Sequence, residues 1–320
     1  MILSSVMDVY SYHLGMDVLT GVDLGGTKIE AVVLGPGDEV LARHRCPTPT
    51  NGYPATINAV AKLVHMVEDD AGVAAPHVGI GGPGSPSPTT GRQRNANSTI
   101  LNGQPLACDL ATAIGRPVTL ANDADCLALS EAHDGAAAGH QCVFAVILGT
   151  GIGGGLVING RLHTGPNALG GEFGHTALPR PRADETPGPA CWCGQRGCLE
   201  SWISGPALEA QWVALKHTAL RATDIAASPH ADAQKLIDQW LDRLARALAN
   251  TITVLDPDVI VFGGGLNAMA NLTGALDQRL GDLVFGGEYL TPLVVARHGD
   301  SSGVLGAARL PGPTSPTAPP

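Results

Sequence analysis

Two segments of the sequence share one pattern: an apolar run, a glycine-rich turn that contains threonine, and a second apolar run. The first segment reads VLTGVDLGGTKIEAVVL (residues 18–34), and the second reads FAVILGTGIGGGLVI (residues 144–158). Two apolar runs separated by a short glycine-rich turn are typical of a β-hairpin. Because one such hairpin stands at the front of each half of the chain, the pattern predicts two related α/β domains.

Strand and helix patterns alternate through the rest of the chain, which indicates α/β architecture. In the second half, apolar residues repeat with the helical period until Asp256-Pro257, where the proline is expected to end the helix. The expected elements are a helix at 55–71, strands at 78–82 and 116–121, a helix at 236–255 and a strand at 259–262.

The composition excludes several classes of protein. Glycine makes up 42 of 320 residues without a G-X-Y period, so tight backbone turns are indicated and collagen is excluded. The net charge is −10 and no stretch is rich in lysine or arginine, which argues against nucleic acid or an anionic membrane as a partner. No apolar run approaches the roughly 18 residues that span a bilayer. A phosphorylated ligand stays compatible with this charge, because backbone amides hold phosphate.

The two ends of the chain are expected to lie outside the fold. Residues 1–15 lack the basic region, the long apolar region and the cleavage site of a signal peptide. We therefore expect an N-terminal extension or a start at Met16, with Met1 and Met7 as the other candidate starts, in a cytoplasmic protein. The proline-rich residues 311–320 predict a disordered tail.

The turns of both hairpins are candidate phosphate sites, although neither a Walker A loop nor a Rossmann fingerprint occurs. Consecutive glycines after a strand expose backbone N–H groups, and an aspartate just before them is suited to Mg²⁺. The alternative is a plain hairpin turn. Two such loops around one cleft favour a nucleotide, and a third glycine run between a strand and a helix would let an adenosine approach the backbone. The candidates are Asp23, Gly25, Gly26, Thr27 and Lys28, then Gly149, Thr150, Gly151, Gly153 and Gly154, and finally Gly263, Gly264 and Gly265.

Asn122 and Asp123 follow the strand expected at 116–121 and precede a helical stretch. Capping that helix is an ordinary role for these residue types. Beside a phosphate loop, however, an aspartate at a strand end is suited to accept the proton of a substrate hydroxyl. Asp123 is therefore the candidate general base.

Cys191, Cys193 and Cys198 crowd into the segment CWCGQRGC. This C-x-C-x₄-C spacing, with glycines that let the chain fold back, predicts three thiolates around one tetrahedral zinc. A disulfide is a poor alternative, because a C-x-C bridge is strained and leaves one thiol over. His175 is the candidate fourth ligand, and a closed Cys₃His site without a water position would be structural.

The metal would hold together two segments that carry Glu172 and Glu200. Carboxylates and an asparagine around a cleft match the hydroxyl groups of a sugar, whereas the alternative for the two glutamates is a solvated face. In the loop that begins at residue 95, Asn97 is a further candidate sugar contact. The alternative is that Asn97 and Asn102 only make turn hydrogen bonds within that loop.

With these motifs in order, the chain resembles the ROK sugar kinases over residues 16 to about 310. The matching pieces are DLGGTK at 23–28, NDAD at 122–125, LGTGIGGG at 148–155, GGEFGH at 170–175, CWCGQRGCLE at 191–200 and DPDVIVFGGG at 256–265.

The resemblance implies an actin/hexokinase-like fold in which two RNase H-like α/β domains enclose ATP and a sugar, with a zinc-binding loop. We expect an N-terminal domain over residues 16–121, completed by a helix at about 302–310, and a larger C-terminal domain over 122–301. The resemblance also implies Mg·ATP as the phosphoryl donor, Asp123 as the base and a homodimer. It implies sugar contacts at Asn122, Asp123, Glu172, His175 and Glu200, and zinc ligation by His175, Cys191, Cys193 and Cys198.

Three stretches look closest to the bacterial fructokinase branch: NANSTILNGQPL at 95–106, CPTP at 46–49 and RHGDSSG at 297–303. They predict phosphorylation of the 6-hydroxyl of D-fructose, with mannose as a further candidate, although Ile100 stands where a bulkier aromatic residue is expected. The alternative is an N-acetylglucosamine kinase or another hexose kinase of the family. A sugar-sensing regulator is disfavoured, because residues 1–15 are too few for a DNA-binding domain.

Overall fold

The computed structural model describes residues 18–312. Two five-stranded sheets carry the fold, and strands alternate with helices as the sequence pattern predicts. The N-terminal extension expected at residues 1–15, the candidate start Met16 and residues 313–320 of the expected tail lie outside the described residues. No helix within 18–312 is long and apolar enough to cross a membrane.

The elements fall into three sheets and the helices between their strands. The first sheet contains β1 (Leu19–Leu24), β2 (Lys28–Leu34), β3 (Val40–Pro47), β4 (Val78–Gly81) and β7 (Val118–Ala121), and a small sheet pairs β5 (Ser85–Pro86) with β6 (Gln93–Arg94). The second large sheet contains β8 (Cys142–Leu148), β9 (Ile152–Ile158), β10 (Arg161–Leu162), β11 (Val259–Gly263) and β12 (Leu293–Val295). The helices are α1 (Tyr53–Ala71), α2 (Leu106–Ile114), α3 (Asp123–His133), α4 (Glu200–Ile203), α5 (Gly205–Lys216), α6 (Ala222–Ala227), α7 (Ala231–Leu255), α8 (Leu272–Leu280) and α9 (Ser302–Ala308).

Both predicted hairpins are confirmed, and the sheets built on them share one topology. The strand orders are β3-β2-β1-β4-β7 and β10-β9-β8-β11-β12. In each sheet, neighbouring strands among the first three of this order are antiparallel. The last two strands run parallel to the third, which is β1 in the first sheet and β8 in the second. The two halves therefore repeat one folding unit, as expected of an actin/hexokinase-like fold. The boundary between the domains, at residues 121 and 122, remains a proposal.

The helix predicted at 236–255 is confirmed as the longer α7, and its buried residues form a large part of the largest hydrophobic core. Its apolar stripe is buried against the second sheet, with Trp240 1% exposed and Leu244 and Leu248 fully buried. The helix ends where predicted, because Asp256 adopts a left-handed φ of 47° immediately before Pro257. A second core fills the space between the first sheet and the helices α1 and α2.

Helices α3 and α9 join the two halves. Helix α3 starts directly after β7 of the first sheet and packs on β8 and β9 of the second, whereas α9 packs on β1 and β4 of the first. The close approach of α9 needs glycine in β1, because a Cβ on Gly21 would stand 2.4 Å from the backbone nitrogen of Ala308. The chain thus crosses between the halves at α3 and returns before α9.

A buried carboxylate fixes this crossing. Glu131, in the last turn of α3, is fully buried and accepts hydrogen bonds from the backbone N–H groups of Ala136, Arg297 and His298 and from the Ser302 hydroxyl, at 2.8–3.1 Å. One donor, Ala136, follows α3, and the other three lie just before α9 or at its first residue. Glu131 therefore links the end of α3 to the start of α9.

A second buried carboxylate supports the segment ahead of the cysteine cluster. Glu185 accepts hydrogen bonds at 2.8 Å from Arg243 and Arg246, whose side chains on α7 are only 7% and 5% exposed. Burial by itself would raise the pKa of Glu185, but hydrogen bonds from the two guanidinium groups and from a backbone N–H outweigh it and lower the pKa to about 2.

Replacing Glu185 by Ala is expected to lower the free energy of unfolding by about 3–5 kcal/mol, because the buried guanidinium group of Arg243 loses its counter-charge and that of Arg246 keeps only Asp242. Equilibrium unfolding in urea measures the change. Asp238→Ala is the matched control: Asp238 is 71% exposed in its ion pair with Arg279, so its loss is expected to cost less than about 1 kcal/mol. Equal effects of the two variants would contradict the prediction.

Candidate active site

The turn of the first hairpin offers backbone donors, although fewer than its glycines suggest. The N–H of Gly25 is used inside the turn, where it donates to the carbonyl of Lys28 at 3.0 Å. The next two N–H groups, of Gly26 and Thr27, have no partner within the described residues, and both residues are exposed. A pair of free, adjacent N–H groups is the minimal cradle for a phosphate oxygen. Lys28 stands beside this pair and forms a long, exposed ion pair with Asp300 at 3.9 Å.

The second hairpin turn repeats this arrangement. The N–H of Gly149 donates to the carbonyl of Gly151 at 3.1 Å, and the N–H groups of Thr150 and Gly151 are free within residues 18–312. Gly153 and Gly154 lie in strand β9 and not in the turn. The missing side chain of Gly154 makes room for a neighbour, since a Cβ there would stand 2.6 Å from the carbonyl oxygen of Gly171, whereas a Cβ on Gly153 would make only an ordinary contact with Ala124 at 3.5 Å. The structure thus gives Gly154 a packing role, and contact of either glycine with ATP remains a prediction.

The third glycine run abuts the second hairpin. Gly264 has a left-handed φ of 86°, and a Cβ there would stand 2.5 Å from the carbonyl oxygen of Leu148. Gly263 is the last residue of β11, whereas the position of a Cβ on Gly265 is open. A 3₁₀ turn (Gly265–Ala268) follows, where the sequence pattern predicted a helix. An adenosine contact is therefore best supported at Gly265.

Asn122 and Asp123 stand at the start of helix α3, and the sequence left helix capping and proton acceptance open as their roles. Asn122 is the N-cap of α3, and its Oδ1 accepts the backbone N–H of Asp125 at 2.6 Å. Asp123 is the first residue of the helix, and its Oδ1 accepts the N–H of Ala124 at 2.9 Å. Its side chain is open to solvent although protein surrounds it, as at the floor of a cleft. The surrounding protein raises the pKa of Asp123, and the negative charge of Glu200 adds to the rise.

Three further predicted acids, Asp23, Glu172 and Glu200, lie near Asp123. The pKa of Asp23 is raised to about 6, mainly by burial and then by the charges of Asp123 and Glu30. Burial also raises the pKa of Glu172, and the charges of Asp123 and Glu200 contribute. These mutual effects require short separations, so the structure brings the predicted acids to one place. Glu200 does not lie on a solvated face, because protein donors occupy both of its oxygens.

The predicted zinc ligands form one cluster. The ligand atoms of His175, Cys191, Cys193 and Cys198 all lie within 4.8 Å of one another. The Sγ atoms of Cys193 and Cys198 are 3.6 Å apart, as are Cys191 Sγ and His175 Nδ1. Bonds of about 2.0–2.3 Å around a tetrahedral zinc require ligand atoms roughly 3.5–3.8 Å apart, so the donor set fits the metal. None of the seven cysteines is in a disulfide, and zinc itself remains a proposal.

The loop that carries Asn97 makes internal hydrogen bonds, as its alternative interpretation predicts. The side chain of Asn102 pairs with both backbone groups of Ala96 at 2.9 Å. Asn97 is exposed, and its side chain makes no hydrogen bond in the described part of the chain. Its contact with a sugar therefore stays a prediction.

Three residues of the site escaped the sequence analysis. Trp192 donates its indole N–H to Glu200 at 2.6 Å. The sequence analysis assigned a role to the neighbouring cysteines but none to this tryptophan. Arg94 reaches the backbone carbonyl of Asn167 from the first half of the chain, and its charge lowers the pKa of Glu172. Asp125 was visible as the last letter of NDAD, but nothing in the sequence showed that it is buried.

Asp125 is 5% exposed, and its Oδ1 has no hydrogen-bond partner within residues 18–312. Burial raises its pKa to about 7, a hydrogen bond from the backbone of Asn122 opposes the rise, and the charges of Glu172 and Asp123 add to it. An acid with a raised pKa in the folded state holds its proton more tightly there than in the unfolded chain. The contribution of Asp125 to stability therefore falls as the pH rises from about 4 to about 7 and is constant above that.

Asp125→Asn is accordingly expected to be more stable than the parent at pH 8, by about 2–4 kcal/mol, with a difference that closes toward pH 4. The Asn oxygen can still accept the N–H of Asn122. Urea unfolding at pH 5 and pH 8 measures the effect. Asp224→Asn, at the same third helical position of α6 but exposed, is the control and should show no such pH dependence. A destabilised Asp125→Asn at both pH values would show that the carboxylate stays charged and bound.

Comparison with known proteins places this arrangement among sugar kinases. The model of the ROK family matches residues 19–312. N-acetyl-D-glucosamine kinase of Escherichia fergusonii is 39% identical over 297 residues, which covers 91% of this chain and 98% of that protein. The crystal structure of ROK hexokinase from Thermus thermophilus has a TM-score of 0.81 at 36% identity, covering 91% of this chain and 96% of that one. A ROK family glucokinase from Streptomyces griseus, in complex with glucose and AMPPNP, has a TM-score of 0.74 at 26% identity, covering 91% and 98%.

Proposed function

The chain belongs to the ROK family and is a carbohydrate kinase, and we propose that it transfers the terminal phosphoryl group of Mg·ATP to the 6-hydroxyl of N-acetyl-D-glucosamine. The single observation that carries the reaction is the position of Asp123. Its carboxylate is solvent-accessible at the start of α3, with Asp23, Glu172 and Glu200 around it. The similarity to N-acetyl-D-glucosamine kinases over 91% of the chain supports the sugar.

N-acetylglucosamine replaces D-fructose as the proposed sugar. The fructokinase expectation, with mannose beside it, rested on the stretches at 95–106, 46–49 and 297–303. In the first of these, the side chain of Asn102 makes turn hydrogen bonds within the loop, to the backbone of Ala96. The relatives at 39–41% identity that span 91% of the chain are named for N-acetyl-D-glucosamine. The comparisons therefore favour the alternative that the sequence left open.

Asp123 would act as the general base. In its charged form it accepts the proton of the sugar hydroxyl as the oxygen attacks the terminal phosphorus. The raised pKa of Asp123 makes it a stronger base than an ordinary aspartate. The free N–H groups at Gly26 and Thr27 and at Thr150 and Gly151 would meet the negative charge on the phosphoryl oxygens, so catalysis is mainly positioning and electrostatics.

Asp23 is the residue suited to Mg²⁺. Its carboxylate is half-buried, makes no hydrogen bond within the described residues and has a pKa raised to about 6 by burial and by neighbouring acids. A cation beside it would relieve that repulsion, and oxygen is the ligand that Mg²⁺ prefers. Bound Mg²⁺ supplies charge neutralisation on the phosphates of ATP. Zinc, held by His175 and the three cysteines, would have only a structural role.

The test is turnover of purified protein with ATP and Mg²⁺ on N-acetylglucosamine, glucose, mannose and fructose, followed by ADP release. The highest kcat/KM is expected on N-acetylglucosamine, with phosphorus NMR locating the product phosphate on the 6-oxygen. The highest kcat/KM on fructose would restore the fructokinase prediction. Absence of turnover on all four sugars would contradict the proposal. The homodimer implied by the family resemblance is checked on the same sample by light scattering.

A further inference from the structure

Trp192 is the most exposed of the four tryptophans, all of which lie in the described part of the chain. Its side chain is 56% exposed, whereas Trp212 and Trp240 are buried and Trp202 is half-buried. An exposed apolar ring gains free energy when a ligand covers it and removes water from it. Neither the zinc ligands nor the glycines of the cysteine segment require an aromatic residue at this position, so the ring calls for another explanation.

The indole of Trp192 contacts both an acid and one of the predicted zinc ligands. Its Nε1–H donates to Glu200 Oε1 at 2.6 Å, and its ring meets His175 edge-on, with the ring centroids 4.8 Å apart and an interplanar angle of 87°. Trp192 therefore links the cysteine cluster to a carboxylate of the candidate sugar site.

Glu200 is held from two directions. Its Oε2 accepts the backbone N–H of Ile152 at 2.8 Å, directly after the glycine turn of the second hairpin, while Trp192 holds Oε1. An ionised carboxylate has about four acceptor positions, so each oxygen keeps one for a further donor. The two protein donors thus fix the plane of the carboxylate and leave acceptor positions for hydroxyl groups.

We propose that Trp192 is a positioning residue of the sugar site: its N–H orients Glu200 to accept hydrogen bonds from hexose hydroxyls, and its exposed ring forms an apolar wall beside them. This inference rests on the proposed function, in which Glu200 binds the sugar. The ring faces the solvent at the place where Glu200 offers its acceptors, so a bound hexose would cover it.

The decisive variant is Trp192→Phe, which keeps an aromatic ring against His175 but removes the donor to Glu200. The KM for N-acetylglucosamine is expected to rise about tenfold, which corresponds to one hydrogen bond to a charged group. The kcat and the KM for ATP should change less than about twofold, because the lost orientation affects ground state and transition state alike. Zinc content should be unchanged.

Fluorescence supplies a readout that a merely structural role would not change. Addition of N-acetylglucosamine without ATP is expected to shift the tryptophan emission of the parent protein to shorter wavelength, because the sugar removes water from the exposed ring. Trp192→Phe should lose this shift. Trp202→Phe is the control and should keep both the shift and the activity, since the ring of Trp202 packs against the guanidinium of Arg243 and makes no hydrogen bond to Glu200 within residues 18–312.

Three outcomes separate the hypotheses. If Glu200→Gln binds sugar poorly but Trp192→Phe keeps the sugar KM of the parent, the role of Trp192 is overturned and the sugar site is left intact. An unchanged sugar KM in Glu200→Gln would overturn the sugar site itself and this inference with it. Loss of zinc together with kcat in Trp192→Phe would show that the ring supports the metal loop and would also overturn the inference.

Discussion

Replacing Asp123 by Asn is expected to reduce kcat by about 10²–10⁴-fold, the range that a general base contributes, while the dissociation constant of the sugar changes little. The amide has the shape of the carboxylate, and its oxygen can still accept the N–H of Ala124 at 2.9 Å. It cannot take up the proton of the sugar hydroxyl. A coupled ADP assay measures kcat, and calorimetry without ATP measures sugar binding.

The pH profile gives the same prediction a second readout. Because the surrounding protein and Glu200 raise the pKa of Asp123, the parent enzyme should lose kcat/KM as the pH falls through that raised value, where the base becomes protonated. The Asn variant should lack this acidic limb. Asp232→Asn, in the first turn of α7 and outside the candidate site, is the matched control and should behave as the parent. Turnover of Asp123→Asn within a few-fold of the parent would refute the assignment of the base.

Replacing Cys193 by Ser is expected to remove zinc and to lower the melting temperature by on the order of 10 °C, because metal binding and folding of the cluster are coupled. Serine has nearly the same size, but its hydroxyl is a poor zinc ligand. The loss should also weaken sugar binding, since His175 and Trp192 connect the cluster to Glu200. Metal analysis by mass spectrometry and differential scanning calorimetry measure the two effects.

Cys108→Ser is the control for that experiment. Cys108 is an exposed cysteine on α2, outside the cluster, so its variant should keep the zinc content and melting temperature of the parent. A parent protein without zinc, or a Cys193→Ser variant with one zinc per chain, would contradict this ligand set.

Local patterns predicted those parts of the molecule whose cause is local. The hairpins at residues 18–34 and 144–158 are confirmed because two short apolar runs and a glycine turn between them favour that structure locally. The same holds for α7, whose apolar stripe and terminating Asp256-Pro257 lie within the helix and its end. The cysteine cluster was also predictable, because three of its four ligands lie within eight residues.

The sugar was harder to predict, because specificity is a difference of a few kcal/mol between similar hexoses. The stretch at 95–106 looked like a fructokinase loop, yet the side chain of Asn102 in it bonds only to the backbone of Ala96. Sequence similarity over the whole chain was more informative here than one loop. Gly154 belongs to the same glycine-rich motif but lies in strand β9 and not in the turn, and there close packing against Gly171 requires glycine.

The amino-acid order alone was sufficient to predict the α/β class, the two phosphate-loop candidates, the candidate base Asp123 and the cluster of candidate metal ligands. These features depend on residue type and short spacing, which a sequence displays directly. The grouping of Asp23, Asp123, Glu172 and Glu200 at one place depended instead on how two sheets, joined through α3 and α9, bring distant segments together. The burial of Asp125 and the hydrogen bond from Trp192 to Glu200 also depended on the tertiary structure. Burial and charge proximity are properties of the assembled chain, and they set which acids are ionised and which carboxylate a sugar would meet.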